Sequence, residues 1–64
     1  MKVKYDREVD ILYIRLTDNV IDESDETHAG TIIDYDVNGA VVGIEVLNAS
    51  RRMANPKSVE LEIA

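Results

Sequence analysis

Asp34 and Glu45 are the side chains of this sequence best suited by type to proton-transfer chemistry. They stand on neighbouring strand-like runs, and two carboxylates on one sheet face invite an acid–base or glycosidase reading. If Asp34 lies opposite Val41, Glu45 is four residues farther along, about 13 Å at ~3.3 Å per residue. Retaining glycosidases need their carboxylates ~5–5.5 Å apart and inverting ones ~6.5–9.5 Å, so the spacing argues against catalysis. Charge complementarity with Lys2, Lys4 or Arg15 on the same face is the simpler role. Asp6, Asp10, Asp34 and Asp36 fall at turn borders, where aspartate accepts local backbone hydrogen bonds. The Asp34–Asp36 pair lacks the remaining oxygens of a calcium loop. His28 is the only histidine and cysteine is absent, so no zinc or thiolate site is expected, and no cofactor is implied. Asp22, Glu23, Asp25 and Glu26 form a solvated acidic run that serves as a candidate surface for a basic partner.

The balance of charge supports that choice. Thirteen acidic residues against seven basic ones give a formal net charge of −6. Such a chain has no electrostatic route to DNA or RNA, whereas a basic protein is steered toward it. Arg51-Arg52 is too small a basic spot for nucleic acid and is suited to capping a short helix or pairing with Glu60 and Glu62. No basic-then-apolar leader opens the sequence and no apolar run nears ~20 residues, so a cytoplasmic protein without membrane contact is expected. The Asn48-Ala49-Ser50 sequon is then a chance match.

The elements that must position these side chains are strands. Val3-Lys4-Tyr5, a polar link and Asp10–Thr17 form a hairpin. With Tyr5 opposite Asp10, Val3, Tyr5, Leu12, Ile14 and Leu16 share one face, and Lys2, Lys4, Ile11, Tyr13 and Arg15 the other. A second hairpin joins Thr31–Tyr35 to Ala40–Leu47 through Asp36-Val37-Asn38-Gly39. With Tyr35 opposite Ala40, Thr31, Ile33, Tyr35, Val42, Ile44 and Val46 share a face; Ile32, Asp34, Val41, Gly43, Glu45 and Leu47 line the reverse. A bulge at Gly39 would exchange the faces of one strand. Gly43 marks a bulge or leaves room for Tyr13 to lie across the backbone. Residues 18–30 are expected as a partly ordered acidic loop, the alternative being a short edge strand around Val20-Ile21. Residues 49–54 make one or two helical turns ended by Asn55-Pro56, and Ser58–Ile63 alternates as a terminal strand.

The sum is a mainly β fold: one small antiparallel sheet of two hairpins and four to five strands, with one short C-terminal helical turn, in a single domain over residues 1–64. Ile11–Leu16 and Ala40–Leu47 are apolar on both faces, yet no long helix exists to cover them. Val3, Leu12, Ile14, Ile33, Val42, Ile44 and Val46 are expected to form the monomer's core. The uncovered reverse face, with Ile11, Tyr13, Ile32, Val41 and Leu47, or else an exposed edge, is expected to close in a twofold homodimer, and the terminal strand is able to cross to the partner subunit.

Tyr5-Asp6-x-x-x-Asp10-x-Leu12-Tyr13-Ile14-x-Leu16, followed by Asp34-Tyr35-Asp36-x-x-Gly39-x-x-Val42-Gly43-Ile44-Glu45-x-Leu47-x-Ala49-Ser50, resembles the small family called domain of unknown function 2283. The resemblance spans roughly residues 3 to 50. It implies a small strand-rich bacterial or archaeal protein without established activity, of a kind often encoded beside toxin-like proteins. The expected function is therefore a non-catalytic interaction or homo-oligomeric module, an antitoxin-like partner of a small basic protein. The alternative is a small-molecule- or metal-binding subunit whose site lies at a dimer interface, where His28 or Asp34 meets its copy.

Overall fold

The computed structural model describes residues 1–64. Its strands are β1 (Lys2–Asp6), β2 (Ile11–Arg15), β3 (Glu23–His28), β4 (Thr31–Tyr35) and β5 (Val41–Leu47), followed by the single-turn helix α1 (Ala49–Arg52). The strands form one antiparallel sheet in the order β1–β2–β5–β4–β3. The mainly β expectation holds, with five strands and one helical turn.

Each reversal has a local cause. Asp36 Oδ1 accepts the Asn38 and Ala40 amides at 2.9 and 3.0 Å, and Gly39 at φ 82° completes the β4–β5 loop. Gly30 at φ 78° closes the two-residue β3–β4 hairpin, in which His28 pairs with Thr31. Asp10 adopts φ 56° at the end of the β1–β2 loop, a conformation open mainly to glycine, asparagine and aspartate.

Both expected registers are displaced. Tyr5 pairs with Leu12 rather than Asp10, and along β4–β5 Ile33 pairs with Ile44 and Asp34 with Gly43. Each of these displacements is two residues, which preserves the faces because side chains alternate with period two. One face carries Val3, Tyr5, Leu12, Ile14, Ile33, Ile44 and Val46; the other carries Lys4, Ile11, Tyr13, Ile32, Asp34, Gly43, Glu45 and Leu47. The bulge lies at Val42 instead of Gly39, because the pairing steps from Asp34–Gly43 to Tyr35–Val41. Val41 thereby stands opposite Tyr35, on the aliphatic face, and leaves the row of Ile11, Tyr13, Ile32 and Leu47.

Two other expectations are corrected. The acidic stretch contains a true edge strand, β3, which pairs with β4 and sits later than Val20-Ile21; every residue in it is exposed. Backbone pairing to β4 orders it without any apolar anchor. Ser58–Ile63 forms no strand, and Val59, Leu61 and Ile63 are 66, 76 and 88% exposed. Alternation alone provides a face to bury but no neighbour to bury it against.

The core is much smaller than expected. Of the seven proposed core residues only Leu12 and Val42 are buried; Ile14, Ile33, Ile44 and Val46 are half-buried, and Val3 is 36% exposed. A single sheet has no second layer, and α1 spans only the end of it. The chain exposes 4989 Å², whereas a compact 7.2 kDa monomer exposes about 4,100 Å². Its radius of gyration is 12.3 Å against about 10.7 Å for a compact chain of this length.

Candidate functional site

Asp34 is the penultimate residue of β4, and it is 2% exposed. Tyr13 Oη donates to its Oδ2 at 3.1 Å, and Ser24 Oγ donates to its Oδ1 at 2.5 Å. The sheet order makes this possible. Gly43 lies between Tyr13 and Asp34, and a Cβ there would stand 2.7 Å from Tyr13 Oη and 3.0 Å from its Cζ. Tyr13 thus crosses the strand over a glycine and reaches Asp34 two strands away. Ser24, directly opposite Asp34 on β3, completes the cradle. Ser24 was not foreseen, since a serine inside an acidic exposed run gives no hint that its partner is buried.

Glu45 pairs with Ile32, which places it diagonally beside Asp34, two residues from Asp34's own partner. Diagonal cross-strand neighbours lie ~7–8 Å apart at the backbone, so the carboxyls are far nearer than the 13 Å expected. Burial raises the pKa of Glu45, the negative charge of Asp34 raises it further, and so does a side-chain hydrogen bond to Asp34. Burial also pushes the Tyr13 phenol up, followed by its hydrogen bond to Asp34. Of the cations expected to neutralise this pair, Arg15 donates instead to the Thr17 and Asn19 carbonyls at 3.0 and 2.8 Å, and Lys4 lines the cleft beside Glu45.

The arrangement is two carboxyls set side by side within a sheet, one of them enclosed by hydroxyls. Both Asp34 oxygens are taken by hydroxyls, and no third His, Cys, Asp or Glu joins the pair to form a metal cluster. A shallow cleft of about 200 Å³ beside it is lined by Lys4, Asp6, Val9, Ile11, Tyr13 and Glu45. Glu45 is the only carboxylate of the pair that borders this space.

A second polar network joins α1 to the sheet. Asp10 accepts Tyr5 Oη at 2.7 Å, Ser50 Oγ at 2.6 Å and the Ser50 amide at 2.9 Å, and its carbonyl accepts the Ala49 amide at 3.0 Å. The Ser50 and Tyr5 hydroxyls hold the Asp10 pKa below the usual carboxylate range. At the far end of α1, Arg52 donates to the Gly30 carbonyl and to Thr31 Oγ1, the latter at 2.7 Å. Arg52 therefore clamps the β3–β4 turn and takes no part in pairing with Glu60 or Glu62. Asp36 is a turn residue, its pKa lowered by the Ala40 amide and then by the Asn19 side chain.

The other sequence candidates divide cleanly by position. Ile11, Tyr13, Ile32 and Leu47 are half-buried around the Asp34–Glu45 pair, while Val41 is 37% exposed on the opposite face. Glu23, Asp25 and Glu26 lie on the free edge of β3, and Asp22 precedes it with its amide on the Tyr35 carbonyl at 2.8 Å. His28 ends β3, exposed and away from Asp34. No helix is long and apolar enough to cross a membrane.

Of the residues of these two networks, Tyr5, Asp10, Tyr13, Asp34, Gly43, Glu45 and Ser50 are also residues on which the family resemblance rests, whereas Ser24 and Arg52 lie outside it. No curated protein and no solved structure matches the chain. The family profile described as protein of unknown function (DUF2283) matches residues 2–50 of the 64, and the chain belongs to that family.

Proposed function

We propose that this protein is a non-catalytic interaction module that works as a homodimer, with the aliphatic face of its sheet closed by a second copy. The supporting observation is the surface the fold leaves open. The excess over a compact monomer is on the order of 900 Å², close to the ~800 Å² per partner of a standard interface. The aliphatic face is the better choice of the two. Closing the other would enclose Glu45 and Lys4, which border the open cleft, and enclosing charge without compensation is costly. Ile14, Ile33, Ile44 and Val46 carry no such penalty. Placing Glu at position 44 (Ile44→Glu), at the centre of that face, should shift sedimentation equilibrium from dimer to monomer while circular dichroism stays β. A variant that remains dimeric would reject this face.

The acidic edge supports a finer reading, that the dimer receives a small basic protein. Glu23, Asp25 and Glu26 stand on an open strand edge, beside Asp22, with no cation among their hydrogen-bond partners. Exposed charges of this kind govern association rate and salt dependence. A basic protein encoded next door should co-purify at low salt and dissociate as salt rises, and neutralising all four residues should abolish capture. Binding that persists at high salt after those changes would rule out the electrostatic reading.

A further inference from the structure

The two open edges of the sheet differ in sign. β1 presents Lys2 and Lys4, with Arg15 paired beside Lys2, whereas β3 presents Glu23, Asp25 and Glu26. An open edge offers a row of unpaired amides and carbonyls to any strand that matches it. The chain also carries a strand-like segment with no neighbour, Ser58-Val59-Glu60-Leu61-Glu62-Ile63, exposed throughout. Its acidic residues would be repelled by β3 and attracted by β1.

The match with β1 runs residue by residue. Set antiparallel, Lys2 faces Glu62, Val3 faces Leu61, Lys4 faces Glu60 and Tyr5 faces Val59. The two charge pairs then fall on the polar face and the three apolar residues Val59, Leu61 and Ile63 extend the aliphatic face. Within one molecule the segment forms no ladder with that edge. Arg52 ties the end of α1 to Gly30 and Thr31, on the β3–β4 side. The link that follows is folded by Ser58 N on the Asn55 carbonyl at 3.3 Å and Lys57 N on Asn55 Oδ1 at 3.0 Å.

We propose that Ser58–Ile63 adds as a sixth strand to the β1 edge of a second copy, the exchange being reciprocal about a twofold axis. This rests on the homodimer proposed above and gives that dimer its edge contact. Strand addition supplies main-chain hydrogen bonds for affinity, and the alternating side chains supply register. Exchange between two identical copies closes the assembly, so neither basic edge remains free.

The absence of cysteine makes the test clean. Val3→Cys and Leu61→Cys single variants, mixed and mildly oxidised, should give a covalent heterodimer, because the two residues face each other only across the exchanged strand. In the variant carrying both changes, an intramolecular bridge in a monomer would overturn the exchange in favour of pairing within one chain. No bridge of either kind would overturn it outright. Lys2→Glu with Lys4→Glu should weaken the dimer by about tenfold, and adding Glu60→Lys with Glu62→Lys should restore it. A chain ending at Lys57 that dimerises as tightly as the full one refutes the exchange and leaves the face-to-face dimer standing. A full chain that never dimerises removes both.

Discussion

Gly43 is where the polar network and the sheet backbone compete for the same space. A methyl group there meets Tyr13 Oη at 2.7 Å and the Ile14 carbonyl at 3.2 Å, and Tyr13 is not free to retreat while it holds Asp34. Gly43→Ala should cost about 1–3 kcal/mol by overpacking, read as a lower urea midpoint at an unchanged slope. Glu45 adds a pH signature. Its pKa is raised in the fold, so its stabilising contribution is present below the ordinary glutamate value and is lost as pH rises through the raised one. Asp34→Asn removes the neighbouring charge and should bring the Glu45 titration midpoint down, as followed by its side-chain carboxyl resonance; an unmoved midpoint would mean burial alone sets it. Asp10 and Asp36 act with the opposite sign. Their lowered values give stability above the ordinary aspartate value that is lost as pH falls through the depressed ones. Asp10→Asn should therefore flatten the acid limb of a stability–pH curve.

At the level of elements, α1 is held by side chains more than by its own length. A four-residue helix has no intrinsic stability, so Asp10–Ser50 at one end and Arg52 at the other must supply it. Ser50→Ala together with Arg52→Ala should remove amide protection from residues 51–53 while β2 and β5 keep theirs. Protection that survives both changes would place the anchor elsewhere. The charged β3 edge makes its own prediction. Acidic side chains keep an all-exposed strand from templating like strands, so neutralising Asp22, Glu23, Asp25 and Glu26 should raise light scattering of concentrated samples at neutral pH. The strands and faces were legible because alternation fixes which side a residue takes. Register was not, because a two-residue slip leaves every face intact; it moved Glu45 from four residues beyond Asp34's partner to two. β3 was hidden by composition, since an edge strand wet on both faces needs no apolar residue. The tyrosine over Gly43 was readable, because a glycine inside an apolar strand calls for something to lie on it.

The whole molecule is a single twisted layer whose polar groups are settled and whose apolar groups are not. No buried side-chain nitrogen or oxygen lacks a partner, yet Leu12, Val42 and Ala49 are the only apolar side chains wholly inside. Domains of this size bury only about 60% of the surface of their unfolded chain even when compact, and this one falls short of compact. Association is the remedy open to a chain without cysteine or a clustered metal site. That shortage was readable from two doubly apolar runs without a covering helix, whereas the place of the carboxylate pair beside the cleft was not. Light scattering coupled to size exclusion, at micromolar concentration and near-neutral pH, tests this most directly. The account predicts a mass of twice 7.2 kDa that falls toward the single-chain value only on strong dilution. A stable 7.2 kDa species across the whole concentration range, with a cooperative unfolding transition, would contradict it.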